Sequence, residues 1–107
     1  MTDFSVTPGE RSGDRQGLAV AGELDLVSAL RLEMAIDATA DAGVRHLSID
    51  LSATTFLDST GLAAIMEGRR RLTARGGSLV VTEAGPNVRR VLELTGLDGL
   101  LMAPGAR

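Results

Sequence analysis

The run Phe56-Leu57-Asp58-Ser59-Thr60-Gly61-Leu62 sets two hydroxyls beside a carboxylate where an apolar segment gives way to a helical pattern. A hydroxyl at a helix start is a fitting phosphoryl acceptor. The first backbone N–H groups are free there, and the positive end of the helix dipole faces the added charge. The same side chains can instead simply cap the helix, a contribution of about 1 kcal/mol. As a hydrolytic nucleophile Ser59 would need a base, and His46 is the only imidazole. No Gly-x-Ser-x-Gly elbow is present, so a hydrolase is set aside. Glu23 and Asp25 are spaced like a carboxylate pair, but a chain this poor in aromatics offers no sugar cleft. Arg69-Arg70-Arg71 reads as the solvated face of an amphipathic helix. His46 stands at a strand start with no motif partner, which argues against metal binding or general-base work.

The chain that must position these groups is short. Its 107 residues suit one domain, 1–107, and 44% are hydrophobic against 2% aromatic, so the core is aliphatic. Cysteine is absent, which excludes disulfides, thiolate zinc sites and cysteine nucleophiles. A net charge of −3 argues against a nucleic-acid partner. No apolar run approaches a bilayer span, and Met1 to Ser12 lack the apolar centre of a signal peptide, so a cytoplasmic protein without membrane insertion is expected.

Periodicity gives the elements. Met1 to Thr7 alternates as an edge strand, followed by a loop from Pro8 to Gly13. Leu18, Val20 and Leu24 recur with period two, and Gly22 marks a bend or bulge. From Leu26 to Asp41 the period is helical, with Leu26, Ala29, Leu32, Ile36 and Ala40 on one side and Asp25 or Ser28 as cap. Val44 to Leu51 places Leu47, Ile49 and Leu51 on one face of a strand, and Ser52 to Thr55 reads as a polar loop. A second helix carries Leu62, Ile65, Met66, Arg69 and Leu72 in a stripe and stops at Gly76-Gly77. Ser78 to Thr82 is β-rich, Pro86 opens a helix that ends at Gly96, and Leu97 to Met102 is an apolar piece of open type. The order ββαβαβα predicts an α/β fold: a single mixed sheet of four to five strands with helices mainly on one face. Asp58 to Gly61 then falls on the carboxyl edge of the sheet, where α/β proteins bind their ligands.

Three segments in order resemble the STAS anti-sigma factor antagonists, over about Gly17 to Met102. They are Gly22-Glu23-Leu24-Asp25, then Asp50-Leu51 with Phe56 to Leu62, then Gly76-Gly77, Pro86 and Thr95-Gly96-Leu97. Met1 to Gln16 matches poorly. The resemblance implies the STAS fold and a binding switch rather than an enzyme, with no cofactor and no metal. By it, the unphosphorylated protein binds an anti-sigma factor that is also a serine kinase and thereby frees sigma factor. Phosphorylation of Ser59, with Thr60 as the minor alternative, ends that binding, and a phosphatase resets it. The expected partner-binding residues are Glu23, Asp25, Asp58, Ser59, Thr60 and Gly61. Asp25 and Asp58 either meet the partner and orient the hydroxyl or only cap their helices. A monomer is expected. The alternative within the fold is a non-catalytic STAS scaffold subunit of a stress-sensing or lipid-transport complex.

Overall fold

A computed structural model describes residues 3–106. Two strands come first, β1 (Ser5–Ser12) and β2 (Arg15–Leu24), forming an antiparallel hairpin. Then follow α1 (Leu26–Asp41), β3 (His46–Leu57), α2 (Ser59–Ala74), β4 (Ser78–Ala84), α3 (Pro86–Leu94) and the short α4 (Asp98–Leu101). The sheet order is β1-β2-β3-β4, with β2, β3 and β4 parallel. The sheet is therefore mixed and four-stranded.

β3 is the centre of the core. Leu47, Ile49 and Leu51 point to the helices and are fully buried against Leu32 and Ile36 of α1, Ile65 and Leu72 of α2, and Val88 and Leu92 of α3. Burial of each such side chain contributes about 1.5–3 kcal/mol. The alternating residues His46, Ser48 and Asp50 lie on the other face, which is only half-buried. There Gly17, Ala19, Ser48 and Val80 line shallow depressions instead of a second helix layer. No helix of the described residues is long and apolar enough to cross a membrane.

The structure departs from the sequence pattern in several places. β1 continues through Pro8, where a loop was expected, while Met1 and Thr2 of the expected strand lie outside the described residues. Proline is tolerated because β1 is an edge strand and its pairing with β2 shifts register between Pro8 and Arg11. Gln16 Nε2 donates to Gly9 O at 3.0 Å across that gap. Ser52 to Thr55 is likewise strand and not loop. Ala53 pairs with Ala21 and Thr54 with Gly22. Thr54 is buried because its hydroxyl donates to Val20 O at 2.8 Å. Polar composition suggested solvent, but the neighbouring strand supplies the acceptor.

Leu26 does not join the buried stripe of α1 and is 73% exposed. Ser28 takes the inward place, made possible by a hydroxyl that donates to Glu23 O at 2.6 Å. On α2, Met66 and Arg69 sit at the margin, and Gly61, Ala64 and Gly68 join Leu62, Ile65 and Leu72 inside. Those small residues bring α2 close to its neighbours: a Cβ on Gly68 would stand 2.8 Å from Ile36 Cδ1. Leu97 to Met102 resolves into α4, which buries Leu101 before Met102 bridges to Val81.

One contact fixes where β4 begins. Gly77 lies so close to the residue before β3 that an added Cβ would fall 1.8 Å from Arg45 O, the acceptor of the Ser78 N–H. Backbone cannot yield as a flexible side chain can. Gly77→Ala is therefore expected to lower stability by about 3 kcal/mol, read as a fall in the urea midpoint followed by circular dichroism. An unchanged midpoint would show that the crossing has slack.

Candidate functional site

Glu23 pairs with Phe56 and Leu24 with Leu57, so the parallel strands β2 and β3 end level with each other. Each is followed by one aspartate and then a helix. Leu24 O accepts from Asp58 N–H at 3.3 Å, which ties the two junctions together. At the first, Asp25 Oδ1 accepts from Val27 N (3.0 Å) and Ser28 N (3.1 Å). The Ser28 hydroxyl accepts in turn from Asp25 N at 2.9 Å, which completes a capping box. The Ser28 N–H, then the Ser28 hydroxyl, hold the Asp25 carboxyl below the ordinary aspartate range. At the second junction Asp58 Oδ1 accepts from Gly61 N at 2.9 Å. Both aspartates are thus helix caps, and in neither does Oδ2 accept a hydrogen bond that serves the cap.

Ser59 is the first residue of α2 and is exposed. Its hydroxyl takes no part in the hydrogen bonds among the described residues. Thr60 is half-buried beside it. The first helical hydrogen bond is Leu62 N to Asp58 O, so the N–H groups of Ser59 and Thr60 have no acceptor within the helix. Gly61 is buried, and a Cβ there would lie 2.4 Å from Leu24 O and 2.8 Å from Leu24 Cγ. Its role in the structure is clearance: the first turn of α2 rests directly on the end of β2.

The fold therefore gathers Glu23, Asp25, Asp58, Ser59 and Thr60 at one end of the sheet, with Gly61 beneath them. Beside them a cleft of about 220 Å³ is lined by Phe4, Glu23, Asp25 and Arg31, among others. An exposed hydroxyl on a helix dipole, at the same end of the sheet as three carboxylates, is suited to accept a phosphoryl group and to make its charge felt. Sequence reasoning missed the apolar members of this end. Phe56, Leu26 and Val27 are all exposed there. The available signal was Val27 and Leu30, two large apolar residues off the buried stripe of α1.

His46 has neighbours that its sequence context did not reveal. Its Nδ1 is 2.9 Å from Ser78 Oγ and its Nε2 is 4.0 Å from Asp14 Oδ2. This trio sits at the opposite end of the sheet. His46 opens β3 and Ser59 follows its end, so the whole strand lies between them in a molecule whose longest dimension is 33 Å. His46 is thus not a base for Ser59. Nor is Ser78 served by an oxyanion hole, since its N–H is bound to Arg45 O and that of Gly77 to Leu72 O. The trio ties the β1–β2 turn to the start of β4.

Comparison with known proteins follows the same outline. A family model described as "Mlab, STAS domain" matches residues 9–102. The anti-sigma-B factor antagonist of Listeria monocytogenes is 29% identical over 99 residues, which cover 92% of this chain and 87% of that protein. The anti-sigma F factor antagonist of Paenibacillus polymyxa is 30% identical over 79 residues, covering 73% of this chain and 68% of the relative. A crystal structure of an anti-sigma factor antagonist from Mycobacterium paratuberculosis superposes with a TM-score of 0.80 at 35% identity, over 92% of this chain and 83% of that one. A match that begins within β1 and ends beyond α4, with such relatives across most of its length, makes this chain a member of the STAS-domain family of anti-sigma factor antagonists.

Proposed function

We propose that the unphosphorylated protein binds an anti-sigma factor that is also a serine kinase, and so frees sigma factor, until phosphorylation of Ser59 ends the binding. The observation that carries this reading is the exposed Ser59 hydroxyl at the first position of α2, next to the carboxylates of Asp58, Asp25 and Glu23. Anti-sigma factor antagonism in the relatives supplies the class of partner. The chain acts as acceptor and ligand, not as catalyst.

In the transfer, Ser59 Oγ attacks the γ-phosphorus of ATP held by the partner. A Ser–O–P bond forms, the bond to the ADP oxygen breaks, and the hydroxyl proton passes to a base on the kinase. The phosphoserine carries about −1.5 to −2 charges at neutral pH. The free N–H groups of α2 tolerate that charge within the protein. A partner surface shaped to the neutral hydroxyl does not, because the larger dianion must be desolvated there, beside carboxylates that already engage the partner's cationic groups. Hydrolysis by a separate phosphatase returns the hydroxyl. Thr60, half-buried, is the minor acceptor. The second reading within the same fold is a non-catalytic STAS scaffold subunit of a stress-sensing or lipid-transport complex, since the fold alone does not fix the partner.

Incubation with purified candidate anti-sigma factor kinases and ATP, read by intact mass, separates the two. One phosphoryl group on the wild type, lost in Ser59→Ala, is the expected result. No gain with any active kinase, together with co-purification in a stable transport assembly, would establish the scaffold instead. A second measurement tests the electrostatic ending of the cycle. Asp58→Asn keeps a capping oxygen and removes one charge, so phosphorylation should weaken the variant's partner binding less than the wild type's, by about threefold to tenfold. An equal loss in both would mean that Asp58 does not contribute to the repulsion.

A further inference from the structure

The structure places a row of large apolar side chains in solvent along α1. Leu26, Val27, Leu30 and Met34 are 60–82% exposed. With Phe56 they make five of the seven large hydrophobic residues exposed among the described residues. Isolated exposed apolar residues are ordinary in proteins, but a contiguous group is not.

The position of the row follows from two ion pairs. Arg71 of α2 binds Asp37 of α1, and Arg75 binds Asp41, each partner 34 positions from the other. A constant offset means that α1 and α2 run parallel in fixed register. Carried back along the helices, it sets Leu26 level with Thr60 and Leu30 level with Ala64. Leu26 and Leu30 lie 11 and 7 residues before Asp37, and Leu30 and Met34 lie 11 and 7 before Asp41, close to whole numbers of helical turns. Leu26, Leu30 and Met34 therefore follow the side of α1 that carries its ion pairs to α2, and they begin level with the first turn of α2, while Val27 flanks them on the side of Phe4 and Arg31.

We infer that Leu26, Val27, Leu30 and Met34 form the docking surface for the kinase that phosphorylates Ser59, engaging an apolar pocket next to a cationic nucleotide site. This rests on the function proposed above. Charge selects this occupant. Glu23, Asp25 and Asp58 stand at the Ser59 end of the row, and no salt bridge among the described residues includes them. A second copy meeting this one across a two-fold axis would oppose three carboxylates to three. An anionic bilayer would be repelled in the same way. A protein that brings ATP to Ser59 must carry cationic groups for the triphosphate, and these complement the carboxylates.

The test replaces the apolar row without adding charge or breaking the helix, using Leu26→Gln, Leu30→Gln and Met34→Gln together, with Leu94→Gln as control. Leu94 is equally exposed but closes α3, away from the acceptor. With a kinase that phosphorylates Ser59, the triple variant should keep its thermal midpoint and its kcat while its KM rises about tenfold or more. The control should match wild type. An unchanged KM with Ser59 still modified would overturn the docking surface and leave the proposed function intact. If no active kinase modifies wild type, both fall. Two further results would assign the row to another occupant and overturn the inference: a wild-type dimer in sedimentation that the triple variant abolishes, or binding to phosphatidylglycerol vesicles that it abolishes.

Discussion

Two parallel strands that stop at the same level are the constraint on which the rest of the molecule depends. Because Leu24 pairs with Leu57, the chain leaves both strands together, and each exit is handled by the same device: a buried leucine, an aspartate cap, a helix. The Asp58 N–H to Leu24 O bond and the contact of Gly61 with Leu24 lock one exit against the other. A side chain at position 61 would push α2 away from β2 and disturb the sheet edge at which Ser59 stands. The functional end is thus a by-product of strand register, and the hydrophobic faces of β2 and β3 enforce that register because a slip of one residue would expose them.

Most of the architecture was legible in the residues. Period two around Leu18 and Val20, period 3.6 through Leu32 and Ile36, and glycines at 43 and 76 gave the elements their order and type. Gly22, with φ of 94°, does mark the irregularity anticipated there. What escaped was decided by neighbours distant in sequence. Thr54 looked solvated because its acceptor, Val20 O, lies 34 residues away. Pro8 looked like the end of the expected edge strand because the register shift that accommodates it lies in the pairing of β1 with β2. Leu26 looked like core because it continues the helical spacing of Ala29, Leu32, Ile36 and Ala40, which are buried, but in the first turn the inward place falls to Ser28, whose hydroxyl finds its acceptor in Glu23 O.

The site was legible in a similar, partial way. Asp58 and Ser59 stand at a strand-to-helix junction, which sequence reading places with ease. That Glu23 and Asp25 join them depends on β2 and β3 being adjacent and parallel, a property of topology rather than of either segment. Roles were harder than positions. The two aspartates are caps by geometry, and a cap does not cease to be a charge. Asp25, held ionised by its bonds to Ser28, keeps its negative field at the sheet edge to lower pH than an unbonded aspartate would. Surface ion pairs such as Arg75 with Asp41 contribute little stability, but they hold two helices in register and so decide which side chains become neighbours.

The wedged first turn of α2 has a kinetic meaning as well. A segment whose backbone is pinned to the adjacent strand at Asp58 and Gly61 leaves little conformational freedom to be lost when another protein closes over it, so association carries a small ordering penalty. Such a surface is met ready-made. Its encounter rate with a partner then follows diffusion and charge, not a slow rearrangement.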